Sequence, residues 1–169
     1  EIKNNFQLKN LKISSLFKIQ YPFKSIDYLK NRYLKHPIYK YRIYCIEHKK
    51  RKCLVVFRVI KFKSFNIIRI IDYIGFNSSL GNLKKFFISI LKKYNADYLD
   101  FYFYIIKNIY LKKSGLHDKK KYRNLIIPNH FEPYENKNID IVIAYLSSYK
   151  NSQKIRLFKG DSDIDRPNI

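Results

Sequence analysis

Residues 65–104 read FNIIRIIDYIG, then FNSSLG, then NLKKFFISILKKYN, then ADYLDFYFY. The third piece is a helix. Leu83, Phe86, Phe87, Ile90, Leu91 and Tyr94 fall at i, i+3, i+4, i+7, i+8 and i+11, one continuous apolar stripe. Lys84, Lys85, Ser89, Lys92 and Lys93 take the opposite face. The flanking runs are shorter, rich in Ile, Tyr and Phe, and apolar on both sides, which is the signature of strands covered on both faces of a sheet. Strand, helix and strand at this length make a βαβ crossover, so the two strands are expected to lie parallel.

Upstream, the apolar period is two. Residues 41–47 and 53–62 read as strands joined by a basic turn over 48–52, and Lys63-Ser64 leads tightly into the strand at 65–74. Three sequential strands on short polar turns form an antiparallel meander. Before them, Ser25 reads as an N-cap, with Asp27 in the first turn and Ile26, Leu29 and Tyr33 spaced for a short helix over 26–35. His36-Pro37 ends it. Residues 1–20 fit no single period. Downstream, 105–114 reads as a helix with Ile105, Ile106, Ile109 and Tyr110 inward, and Gly115 stands where a left-handed residue is wanted. A strand begins at 125–127 and is broken by Pro128; 139–146 is a second strand. The expected fold class is α+β: a mixed sheet, the meander leading into the βαβ unit, with helices on both faces and a closing C-terminal hairpin. The expected division is an extension over 1–24, the domain over 25–146 and a polar tail over 147–169.

Composition sets outer bounds. The chain has 169 residues, 46% of them hydrophobic and 17% aromatic, enough for one domain with a real core. Lysine interrupts every apolar run, so none reaches the roughly 18 residues of a membrane span. The start lacks a signal-peptide pattern, so a cytoplasmic protein is expected. The chain begins at Glu1 and contains no Met. Either an initiator has been removed, or this is part of a longer protein with a further N-terminal domain. Cys45 and Cys53 lie in neighbouring strands and have neither disulfide-framework nor zinc-site spacing. The net charge is +22, which suits polyanions. It also follows from AT-rich codon usage, because lysine is spread over every segment.

The element order resembles that of GNAT acyltransferases from their second strand onward, over about 25–146. A more local resemblance joins YLKNRYLKHPIYKYRIY (28–44), RIIDYIG (69–75), DYLDFY (97–102), IIPNHFEP (126–133) and GDSDIDRPN (160–168). Together these look like a family of bacterial acyltransferase-like proteins of the FemAB/GNAT superfamily, associated with surface-polysaccharide biosynthesis. The resemblance implies an acyl-CoA donor whose pyrophosphate sits at the start of the helix after the βαβ unit's first strand. The matching loop is residues 76–81, which makes Ser78, Ser79, Gly81 and Lys84 the candidate cofactor residues. Phe76 and Ser79 depart from the family loop and Gly81 matches it. The family's general acid is a Tyr four residues before a Gly; Leu111 holds that place, and Tyr110 is one residue away.

Other candidates come from the residues themselves. Asp72 and Asp100 each interrupt an apolar strand. A buried unpaired carboxylate costs several kcal/mol or shifts its pKa upward, so each is paired, solvated or working as a base. Arg69 and Arg58 are candidate partners. Asp72, near the C-terminal end of its strand, is the preferred base. His130, beside Glu132, is a second acid–base candidate, while His36 reads as a helix-end residue. No metal site is expected. The acidic tail at 161–165 reads as a clamp whose carboxylates dock on the basic body. The function expected is transfer of an acyl group from a thioester donor to an amino sugar or related surface-glycan precursor. The alternatives are an aminoacyl-tRNA-dependent FemAB-type transferase, with the +22 surface holding tRNA, and a non-catalytic nucleic-acid-binding domain.

Overall fold

Three sequence-adjacent strands form the centre of the fold. The computed structural model describes residues 1–104, 106–122, 124–127, 137, 138, 144, 155–162 and 165. β1 (Arg42–His48), β2 (Arg51–Phe62) and β3 (Phe65–Ile74) make the expected meander, and β4 (Tyr98–Phe101) adds to β3. The order in the sheet is β1-β2-β3-β4. The first two pairings are antiparallel and β3–β4 is parallel, from Ile67 opposite Tyr98 to Ile70 opposite Phe101. The β1–β2 turn is tighter than expected, because Lys49 and Lys50 both adopt left-handed backbone, with φ of 48° and 62°.

The crossover helix α4 (Lys84–Lys93) follows a single helical turn, α3 (Asn77–Leu80), after the short helices α1 (Asn5–Asn10) and α2 (Ile26–Leu29). The predicted stripe is the packed one: Leu83, Phe87 and Ile90 are buried against Phe57, Ile68, Ile70 and Tyr73. The opposite sheet face is covered by the N-terminal segment. Leu8, Ile13, Leu16, Phe17, Leu29 and Tyr33 bury Ile43, Leu54, Val56 and Ile74. The extension expected over 1–24 therefore supplies one side of the core. Ser25 caps α2, its hydroxyl accepting from Tyr28 N–H at 3.0 Å, and the helix continues as a wider π turn over Lys30–Leu34.

Two departures from the sequence reading shape the site. The last strand is divided: β4 ends at Phe101, and β5 (Phe103–Tyr104) turns away to pair antiparallel with β6 (Leu157–Phe158) in a second, two-stranded sheet. Residues 125–127, expected to open a hairpin, carry no strand, and the partner of β5 comes from the tail instead. The strand expected over 139–146 lies outside the described residues except Ala144. Helix α5 (Asn108–Lys113) is shorter than expected and inserts Leu111, leaving Ile109 55% exposed. Gly115 has the expected left-handed backbone, φ 78°.

The second departure is a β-bulge. The partner of Val56 is Asp72, but that of Phe57 is Ile70, so Ile71 is an extra residue. Strict alternation would turn Ile71 and Asp72 to opposite faces. The bulge lets both meet the N-terminal segment: Ile71 joins its apolar cluster, and Asp72 bonds Lys24 and Tyr33.

Candidate functional site

One face of the sheet carries a buried row of charge. Arg58 of β2, Arg69 of β3 and Asp100 of β4 lie opposite one another across three strands, with Asp72 further along β3. All four are buried. Taking ions of this kind out of water costs several kcal/mol each unless they are paired and hydrogen-bonded.

The partners explain their survival. Asp100 accepts two bonds from Arg69 Nε, at 2.9 and 3.0 Å, and a third from Nη2. This pairing of Asp100 with Arg69 was one of the sequence options. Asp72 takes a different partner from those considered. Lys24, from the loop before α2, places its ammonium 2.6 Å from both Asp72 oxygens, and Tyr33 donates to Oδ2 at 2.8 Å. Asp72 is therefore not a free base in this structure: it is fully buried, neutralised and hydrogen-bonded. Arg58 pairs with neither strand carboxylate. Its Nη2 lies 2.7 Å from Oδ1 of Asp165, close enough for an ion pair though off-angle for a hydrogen bond.

The C-terminal segment supplies the remaining counter-charges. Asp161 Oδ1 sits 2.9 Å from Lys24 Nζ, so one ammonium joins two carboxylates. Asp165 Oδ2 accepts from Tyr41 at 2.6 Å. The expected docking of the acidic tail on the basic body is thus met at Asp161 and Asp165; Asp163 and Arg166 lie outside the described residues. The segment is anchored along its length. Phe158 stacks on Phe101 with ring centres 5.6 Å apart, Tyr28 donates to the Gly160 carbonyl at 3.2 Å, and Arg156 donates to the Gly75 carbonyl at 2.7 Å. It runs where β3 and β4 part company, beyond Ile70 and Phe101.

Two groups here are shifted toward neutrality. Burial raises the Asp161 carboxyl to about 6, with the Asp72 charge acting in the same direction and Lys24 opposing. Burial also lowers Lys159 to about 7, helped by the Arg69 guanidinium and opposed by Asp100 and Asp165. Lys24 goes the other way: the attraction of Asp72 and Asp161 outweighs its burial and raises it. Asp72 holds Tyr33 protonated, adding to the larger effect of burial.

The candidate phosphate loop is a separate site at the end of β3. Its last three backbone donors are spent internally. Ser79 and Leu80 N–H bond the Phe76 carbonyl, and Gly81 N–H bonds that of Asn77. Ser78 Oγ accepts from Arg51 at 3.4 Å. The Ser79 hydroxyl is buried without a hydrogen-bond partner among the described residues. What remains open is the start of α4, where Leu83 gives no side-chain cap and no acidic residue occupies the first turn. Lys84 packs its methylenes toward Gly115. Arg156 Nε is likewise buried and unpartnered among the described residues.

His130 lies outside the described residues. Tyr110 is half-buried against Gly81. His36 is not a charged helix end: its Nδ1 accepts from the N–H groups of Ile38 and Tyr39, at 3.2 and 2.9 Å, and burial with nearby Arg32 lowers its pKa. Cys53 is a buried thiol pushed up to about 12 by burial, and Cys45 is half-buried; both are free. Among the described residues no three His, Cys, Asp or Glu gather as a metal-binding group, and no helix is long and apolar enough to cross a membrane. Lys24, Tyr33, Tyr41 and Lys159 escaped the sequence reading. Lys24 and Lys159 are two lysines in a lysine-rich chain, and only the strand acids hinted that buried cations must exist.

No protein-family model, curated protein or solved structure matches the chain.

Proposed function

We propose that the chain is a GNAT-like acyltransferase domain, moving an acyl group from acyl-CoA to an amino sugar or related surface-glycan precursor. The observation that carries this reading is the parting of two parallel strands beside a bulge, with buried ionisable groups gathered there beneath the C-terminal segment. Pairing of β3 and β4 stops at Ile70 and Phe101, and Asp72, Lys24, Asp161 and Lys159 collect just beyond. Parallel α/β units bind ligands at the C-terminal ends of their strands. The donor's pyrophosphate would lie at the uncapped start of α4, with Arg156 and Arg51 near the preceding loop.

In the reaction the acceptor nitrogen attacks the thioester carbonyl carbon, the C–S bond breaks, and the thiolate leaves. The nitrogen's proton goes to a carboxylate. Both carboxylates are engaged, Asp72 by Lys24 and Tyr33 and Asp161 by Lys24 and the Phe158 N–H; Asp161, raised to about 6, is the better acceptor because it is the more basic when ionised. The test is a calorimetric titration of acetyl-CoA into the full chain, with ATP as the polyphosphate control. One-to-one binding specific to CoA is expected. Equal binding of ATP, or none of either, overturns the donor assignment.

One observation favours a second reading. The N–H groups of residues 79–81 are consumed within their own turn, so the loop offers no glycine-rich cradle. FemAB-type transferases use aminoacyl-tRNA and need none. That reading expects tight tRNA binding that weakens steeply with salt.

A further inference from the structure

A cavity of about 460 Å³ opens between the chain's first residues, the end of the π turn and the start of β1. It meets the β3–β4 opening through Tyr33, which lines the cavity and donates to Asp72. Its wall is built from Tyr33, His36, Tyr39 and Tyr41, and Ile2, Leu34 and Ile38 add apolar surface. Two of the wall's three tyrosine hydroxyls are already engaged, Tyr33 with Asp72 and Tyr41 with Asp165. Tyr39 is fixed by His36 stacked on it, ring centres 5.2 Å apart, and by the Arg58 guanidinium 3.7 Å from its centroid. Sites held this way lose little freedom when a ligand arrives.

The polar groups left for a ligand are the Tyr39 hydroxyl, a neutral imidazole and cations. His36 Nδ1 receives two backbone N–H groups, so it carries no proton and the neutral ring has Nε2–H as its donor. Lys3, Lys40 and Arg42 also line the cavity. Its one carboxylate, Glu1, is turned to other work: it lies 2.6 Å from Arg42, 3.1 Å from the Tyr44 hydroxyl and 3.5 Å from Lys93. Among the described residues no carboxylate pairs with Lys3 or Lys40. The cavity is thus lined by two lysines that pair with no carboxylate among the described residues, and by an imidazole, beside an apolar wall. Its volume lies in the range of small-molecule sites.

We propose that this cavity binds a phosphorylated sugar, with the phosphate between Lys3 and Lys40 and the ring against Ile38 and the aromatic wall. The sugar half of this assignment rests on the acceptor class proposed above; the phosphate half stands on the cavity's own charges.

The test titrates glucosamine 6-phosphate into the full chain, with inorganic phosphate and glucosamine as separate probes, following heat and the His36 ring resonances. Saturable one-to-one binding of the sugar phosphate, tighter than of either part, is expected, with a shift at His36. Lys40→Gln weakens it about fivefold, as loss of one exposed ionic contact would. Lys92→Gln, on the outer face of α4, leaves it unchanged. Both lysines are exposed, so neither change threatens the fold. Equal losses in the two variants, or sugar phosphate binding no better than inorganic phosphate, overturn the proposal. No acyl donor is present, so this outcome and that of the acetyl-CoA titration are independent.

Discussion

The two faces of the central sheet are covered in different ways. Under α4 the contact is apolar: Phe87, Ile90 and Leu83 meet Phe57, Ile68 and Ile70, and the helix is adjacent in sequence to the strands it covers. Under the terminal segments, Arg58, Arg69, Asp72 and Asp100 are buried among apolar residues and matched by Lys24, Asp161 and Asp165 from both ends of the chain. The first face needs only side chains of about the right size. The second needs particular charges brought from positions as far apart in sequence as Lys24 and Asp161. Fold and charge placement are thus separable here, and substitutions on the two faces should behave differently.

The largest expected effect tests that separation. Phe87→Ala leaves a cavity on the apolar face and costs about 3–5 kcal/mol, with little dependence on pH. Arg69→Met costs a similar ~3–5 kcal/mol because it strands the Asp100 carboxylate in a dry site. The two losses differ in how they are rescued. Adding Asp100→Leu to Arg69→Met restores most of the stability, since an apolar pair of similar size replaces the ions. Denaturant unfolding of the single and double variants checks this. Additive losses at 69 and 100 would mean the pair does not act as a unit.

The same contrast explains what was legible in the sequence. The stripe of α4, the alternation of β1 and β2 and the apolar run of β3 are local patterns, and β3 begins and ends where its residues indicated, at Phe65 and Ile74. The parallel β3–β4 pair followed from chain length and handedness. The bulge at Ile71 left no local mark, because an extra apolar residue in an apolar strand changes no pattern. The division of the last strand at Tyr102 was hidden for the same reason: DYLDFYFY reads as one continuous run. Asp72 and Asp100 stood out because acids are rare in such runs. Their partners did not, since nothing separates Lys24 from the other lysines until the fold places it. The N-terminal segment obeys no long period because it packs through the short α1 and a 3₁₀ turn over Ser14–Lys18.

A smaller effect is expected where the charged face closes over the tail. A Cβ at Gly160 would fall on the Tyr33 hydroxyl and press on Ile71, including its carbonyl oxygen. Tyr33 cannot withdraw without releasing Asp72. Gly160→Ala is therefore expected to cost about 1–3 kcal/mol by overpacking. It should also loosen the contacts of residues 155–162, seen as faster amide exchange there than in α4. Glycine 115 sharpens the contrast: it lies beside the flexible Lys84 side chain, so its substitution strains only its own backbone, at φ 78°.

The smallest effect has the opposite sign. Lys159 is 3% exposed, and burial beside Arg69 lowers its pKa to about 7 from an ordinary 10.5. The unfolded chain then holds the Lys159 proton up to about pH 10.5, while the folded chain releases it near 7. Between those values the unfolded state binds more protons, so this group makes stability rise with pH across that window. Below pH 7 the cost of burying the ammonium is fully present. Lys159→Met removes the cost and keeps most of the packing volume, so it should stabilise the protein at pH 7 by about 1–2 kcal/mol. The gain should shrink as pH rises and approach zero only above about 10.5, where the lysine of the unfolded chain is neutral as well. Urea unfolding at pH 6, 7 and 9.5 reads both effects. A variant less stable than wild type at pH 7 would mean that the contacts of Lys159, with its ammonium 4.7 Å from the centre of the Tyr102 ring, outweigh the cost of burying its charge.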